Sequence, residues 1–172
     1  MDVRLEEKIN KWVKKGEDES DNFDKYISYF IAFNILYNDY AKRENPNVDL
    51  SRGDRKRAFG VRSSISDKDN FVKNISSELE EYVNIIPVDG EEYWKREHTD
   101  EDGLVYNLKK EFEANNNEQI IEYLFKWLYV VRCNIVHGGK EYDQTKWNKL
   151  LSISSELLKK IIITLMPQKN VN

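Results

Sequence analysis

Between residues 22 and 43 the rings Tyr26, Phe30, Phe33, Tyr37 and Tyr40 fall at intervals of four, three, four and three. That spacing puts five aromatic side chains on one stripe of an α-helix and leaves no consistent face for a strand. Ile27, Ile31 and Leu36 widen the stripe, with Asn34 as the polar residue in its middle. So wide an apolar surface must be covered by other helices or by a second copy of the chain. Asn45-Pro46-Asn47 stops the segment.

The same period recurs elsewhere. Leu5, Ile9, Trp12 and Val13 share a face of a helix over residues 2–14, capped by Asp2 and ended at Gly16. Arg52, Asp54, Arg55, Lys56, Arg57 and Arg62 form a basic segment that opens a third helix, with a break near Ser66-Asp67. Phe71, Ile75, Leu79, Tyr82 and Ile86 then line one helical face up to Pro87. Residues 88–103 are irregular and acidic, and Val105 to Ala114 read as a short helix. Asn116, with Gln119 three residues on, resembles a capping box that starts a long helix to about Ile135. Trp147, Leu150, Leu151, Leu157, Leu158, Ile161, Ile162 and Leu165 mark a last helix over 145–166, with a frayed tail over about 167–172. Only 7 Gly and 3 Pro punctuate 172 residues, too few for the turns of an all-β domain. The expected fold is all-α: one domain over 1–172, an antiparallel bundle of about five to seven helices.

Composition narrows the function classes. No apolar run approaches the roughly 20 residues of a bilayer span, so no membrane partner is expected. The N-terminus lacks a signal-peptide core. One cysteine, Cys133, excludes an intrachain disulfide. A reducing, cytoplasmic setting is the expectation. A net charge of −4 argues against a generic nucleic-acid coat but leaves room for a local basic patch. Neither a phosphate-binding glycine loop nor a GxSxG elbow occurs, and one Cys with two His cannot close a zinc site. No metal and no cofactor are expected.

Two histidines remain. His98 lies in an acidic stretch with Asp100, Glu101 and Asp102, where a solvated loop outweighs a cation site. His137 follows the apolar run IIEYLFKWLYVV, in the string VRCNIVHGGK. Arg132, Asn134 and His137 are polar groups placed where a helix should be most buried. An unpaired buried arginine is costly, so Arg132 must reach a carboxylate, a ligand or solvent. In an unbroken helix Arg132 and His137 point about 140° apart. They converge only if the helix ends or distorts between them, which Gly138-Gly139 permits, or if two copies meet. Taken alone, an arginine and a histidine at a helix end more often cap carbonyls and answer the helix dipole.

Arg132, four intervening residues and His137 resemble the R-x4–6-H motif of the HEPN (higher eukaryotes and prokaryotes nucleotide-binding) superfamily. VRCNIVHGGK looks like the R-x-N-x-x-H-G variant of the Apea-like group, and FIAFNILYNDY is similar to that group's aromatic FN-x-L-Y helix, here Phe33–Tyr37. The two strings occur in the family's order. The resemblance implies a helical homodimer with its Arg/His motifs near the dimer cleft. It also implies a metal-independent endoribonuclease (a hydrolase of RNA), often in a toxin–antitoxin or other defence setting with an antitoxin or other protein partner. Some members are instead non-catalytic modules that bind nucleotide, RNA or protein. Gly139 stands where some members carry a tyrosine two residues after the histidine, and the nearest tyrosine is Tyr142. Control by nucleotide transfer to that position is therefore not expected.

The chemistry suits the residues. RNA supplies its own nucleophile, the 2′-hydroxyl. His137 titrates near neutrality and fits an acid or base role. Arg132 fits the phosphoryl oxygens, and Asn134 the ribose or the imidazole. Arg52, Arg55, Lys56 and Arg57 are the expected RNA-binding cations. Pairing of the same segment with the acidic loop is the competing reading. Cys133 reads as a packed thiol rather than a nucleophile.

Overall fold

The computed structural model describes residues 2–85, 108–136 and 145–166. All regular structure among them is helical. The α-helices are α1 (Val3–Asp18), α2 (Asn22–Glu44), α3 (Asp54–Gly60), α4 (Lys68–Asn74), α5 (Ser76–Val83), α6 (Leu108–Glu113), α7 (Asn117–Val136) and α8 (Thr145–Leu165). A 3-10 turn over Val61–Ser64 joins α3 to α4. Eight α-helices stand among the described residues, against about five to seven expected, because the segment after the basic run folds as short pieces. Asp67 accepts from the Asn70 amide and starts α4. At Ile75 the backbone leaves helical geometry (φ −107°, ψ 6°) before α5 begins. The break near Ser66-Asp67 is present, and the second break at Ile75 carries no Gly or Pro that would announce it.

Helix α2 is the centre of the bundle. It packs against α1 and α8, while α7 packs on α3, α4 and α6. Tyr26, Phe30, Phe33 and Tyr37 are buried, and Tyr40 is partly so. The stripe therefore faces this chain's own core. Its rings interlock with those of α7: Phe33 meets Phe125 edge-on at 5.8 Å, and Phe30 lies 6.4 Å from Tyr129. Such pairs contribute roughly 0.5–1.5 kcal/mol each beyond area burial. Tyr26 donates to the Leu128 carbonyl of α7 at 2.6 Å, satisfying its hydroxyl in the core. Phe71, Ile75, Leu79 and Tyr82 are buried as their period predicts.

Caps set most helix starts. Asp2 accepts from the Arg4 amide at 3.3 Å, and Asp21 accepts from Phe23 and Asp24. Asn116 accepts from Gln119 at 3.5 Å, a long version of the expected box. One expectation is corrected. Gly16 does not end α1, which runs on to Asp18. It is buried against the ring of Tyr29, where an added Cβ would stand 2.7 Å from Cε1. Glycine is present there to let α1 approach α2.

The expected irregular acidic loop with His98, Asp100, Glu101 and Asp102, and the expected frayed tail, lie outside the described residues. None of the helices among the described residues is long and apolar enough to cross a membrane.

Candidate functional site

Arg132 leaves α7 one turn after Leu128, the residue whose carbonyl holds the Tyr26 hydroxyl. The same hydroxyl faces the backbone N–H of Arg132. The turn that carries the arginine is thereby tied to α2. The guanidinium lies over two rings, 5.9 Å from the Phe30 centroid and 5.7 Å from that of Tyr129. Ring quadrupoles attract a cation at that range, by about 0.5–2 kcal/mol each. The side chain is half-buried. Burial by itself lowers its pKa. The hydrogen bond to Cys133 and the charges of Tyr129, Cys133 and Asp54 outweigh it, leaving the pKa above the ordinary arginine value. Arg132 is a permanent, half-buried cation.

Behind it stands a polar circuit that local sequence patterns do not announce. Tyr129 donates to one oxygen of Asp54 at 3.0 Å, and Tyr37 donates to the other at 2.6 Å. Asn34 donates to the Tyr37 hydroxyl, and Asn38 donates to Asn34 at 3.1 Å. The Arg57 Nε donates to Asn38 at 2.6 Å, and its Nη2 reaches Asp54 at 3.4 Å. Every donor in this ring points toward Asp54, so each bond polarises the next. Burial, then the adjacent Asp54 carboxylate, pushes the Tyr129 phenol up to about 12 and Tyr37 higher still. Both remain donors across the whole physiological range. Asn34, half-buried, is thus a link in the hydrogen-bonded chain that ends at Asp54, the acceptor of Tyr129.

Asp54, Tyr37 and Tyr129 are the residues that sequence reading missed. Asp54 and Tyr129 are 75 positions apart, a separation that no helical period spans. The available signal was an aspartate opening a short helix within a basic run, which reads equally well as a favourable helix start.

The expected RNA-binding cations divide. Arg57 departs from that expectation. It is 8% exposed, and its guanidinium donates to the carbonyls of Asp49, Leu50 and Arg52 as well as to Asn38 and Asp54. It holds together the 49–53 loop, where Gly53 takes a left-handed turn (φ 69°). A buried charge keeps such a saturated set of partners. Arg52 is exposed, 4.0 Å from Asp49. Arg55 and Lys56 are exposed and line a groove of about 650 Å³ with Phe59, Arg62, Glu122 and Lys126.

Asn134 is 7% exposed, and its Nδ2 finds no hydrogen-bond partner among the described residues. Cys133 is a half-buried free thiol that accepts a hydrogen bond from the Arg132 side chain. Helix α7 runs unbroken past both to Val136. His137, Gly138, Gly139 and Tyr142 lie outside the described residues. No protein-family model, curated protein or solved structure matches this chain.

Proposed function

We propose that the chain is a metal-independent endoribonuclease acting as a homodimer, with Arg132, Asn134 and His137 as its catalytic residues. The observation that carries this reading is the seating of Arg132: a permanent cation, half-buried on an aromatic platform and braced by Asp54 through Tyr129. A guanidinium so held meets the charge that develops on phosphoryl oxygens without first having to reorganise. The resemblance of Arg132–His137 and Phe33–Tyr37 to the HEPN motifs supplies the reaction class.

In the proposed reaction the 2′-oxygen attacks the adjacent phosphorus and the bond to the 5′-oxygen breaks. The 2′-proton passes to a base, and a proton is delivered to the leaving 5′-oxygen. The products are a 2′,3′-cyclic phosphate and a 5′-hydroxyl end. His137 serves as base, and the same residue of a second copy serves as acid. Asn134, whose buried Nδ2 has no hydrogen-bond partner among the described residues, orients the ribose or an imidazole. A toxin–antitoxin or defence setting belongs to the same proposal.

The test is cleavage of single-stranded RNA in EDTA. We expect cyclic-phosphate ends, and a rate loss of about 10²–10⁴-fold for His137→Ala and about 10²–10³-fold for Arg132→Ala. Full EDTA-resistant cleavage by His137→Ala would remove the histidine from the mechanism. A second reading, a dimeric module that binds RNA, nucleotide or protein without turnover, draws on the unbroken helical phase through Val136. It predicts RNA binding that Arg132→Ala weakens, with no cleavage by the parent protein.

A further inference from the structure

The groove beside α3 holds four cations, Arg55, Lys56, Arg62 and Lys126, around the ring of Phe59. Glu122 is the carboxylate among the lining residues and is shared, 3.5 Å from Arg62 and 2.6 Å from Lys126. Arg55 and Lys56 form the exposed rim. The Arg55 guanidinium lies 5.4 Å from the centroid of the Phe59 ring, so a cation–aromatic pair lines the groove.

This groove is joined to the Arg132 site by ring contacts. The Phe59 ring meets Tyr129 edge-on at 5.6 Å, and Tyr129 lies beneath Arg132. Lys126 and Arg132 are six residues apart on α7, about 9 Å along its axis. Those six residues also turn the two cations about 120° apart around the helix, so the link between groove and site is the Phe59–Tyr129 ring pair beneath Arg132.

From this juxtaposition we infer that the groove lined by Arg55, Lys56, Phe59, Arg62 and Lys126 binds a stretch of single-stranded RNA and leads it to Arg132. Single-stranded nucleic acid needs positive charge along its backbone and flat faces for its bases, and the groove offers both. An acidic peptide would use the cations but leave the Arg55–Phe59 stack unoccupied. The direction of the strand, toward Arg132, rests on the ribonuclease reading; the groove's own affinity for RNA does not.

The probe is a fluorescently labelled 2′-O-methyl single-stranded oligonucleotide, which lacks the nucleophilic hydroxyl and so reports binding alone. The full chain carries Arg55→Gln with Lys56→Gln, both exposed and outside the core. We expect about 10-fold weaker binding and a log-affinity against log-salt slope shallower by about 1–2. Lys11→Gln with Lys14→Gln on α1 is the matched control and should bind like the parent chain. Unchanged affinity and slope in the groove variant overturns the inference. So does an equal loss in the control, or tighter binding of a polyglutamate peptide than of the oligonucleotide. A parent chain that binds through the groove but leaves unmodified RNA intact upholds the groove and removes the ribonuclease reading. Cleavage by a chain indifferent to the groove substitutions does the reverse.

Discussion

Arg132 and Gly16 show how single positions take their meaning from neighbours far away in the chain. Arg132 was expected to need a carboxylate, a ligand or solvent. It is half-exposed to solvent and rests on Phe30 and Tyr129, with the carboxylate of Asp54 one residue removed. Gly16 was expected to end a helix and lies within one. The two roles of glycine predict opposite effects of a methyl group. At an ordinary helix interior, Gly→Ala gains up to about 1 kcal/mol. Here the new Cβ meets the buried Tyr29 ring at 2.7 Å. Gly16→Ala is expected to destabilise the protein by about 1–3 kcal/mol, read as a lower urea midpoint at constant m-value. A stabilised variant would show that α1 and α2 have room to separate.

At the scale of elements, α3 is the piece that joins the core to the site. Its seven residues could not persist as an isolated helix. Arg57 holds the loop before it, and Asp54 receives Tyr37 from α2 and Tyr129 from α7. Asp54→Ala leaves both phenols without their acceptor and should cost about 1–3 kcal/mol in thermal or urea unfolding. Tyr37→Phe combined with Asp54→Ala should cost less than the two single changes together, because both remove the same bond. Strict additivity would show that the hydrogen-bonded ring does not act as a unit.

At the scale of the whole molecule, the aromatic core makes stability depend on alkaline pH. Burial raises the phenols of Tyr26, Tyr37, Tyr82 and Tyr129 above the ordinary value of 10.0. The folded protein therefore holds these protons after the unfolded chain has begun to lose them. Their contribution is complete below pH 10.0 and declines as pH climbs toward and past the Tyr129 value of about 12. Urea midpoints should fall between about pH 8 and about pH 11. The four phenols should ionise only as the protein unfolds, followed by their ultraviolet absorbance. Early ionisation of all 10 tyrosines with no loss of stability would contradict this burial.

The helices themselves were legible because their cause is local. A period of 3.6 in Tyr26–Tyr40, Phe71–Tyr82 and Trp147–Leu165 determines which face is buried before any partner is known. Asp2 and Asn116 mark helix starts through bonds that span two or three residues. The string from Arg132 to Asn134 also stood out, since charge and amide groups interrupt an apolar run. Tertiary structure decided the rest. It separated Arg57, saturated by loop carbonyls, from its exposed neighbours Arg55 and Lys56, although all three look alike in a basic run. It placed Asp54 between tyrosines from two helices and joined the Phe59 groove to Arg132. Those outcomes depend on where helices cross, and that is set by packing summed over the whole core. A pattern confined to one helix carries no record of which side chain arrives from the next.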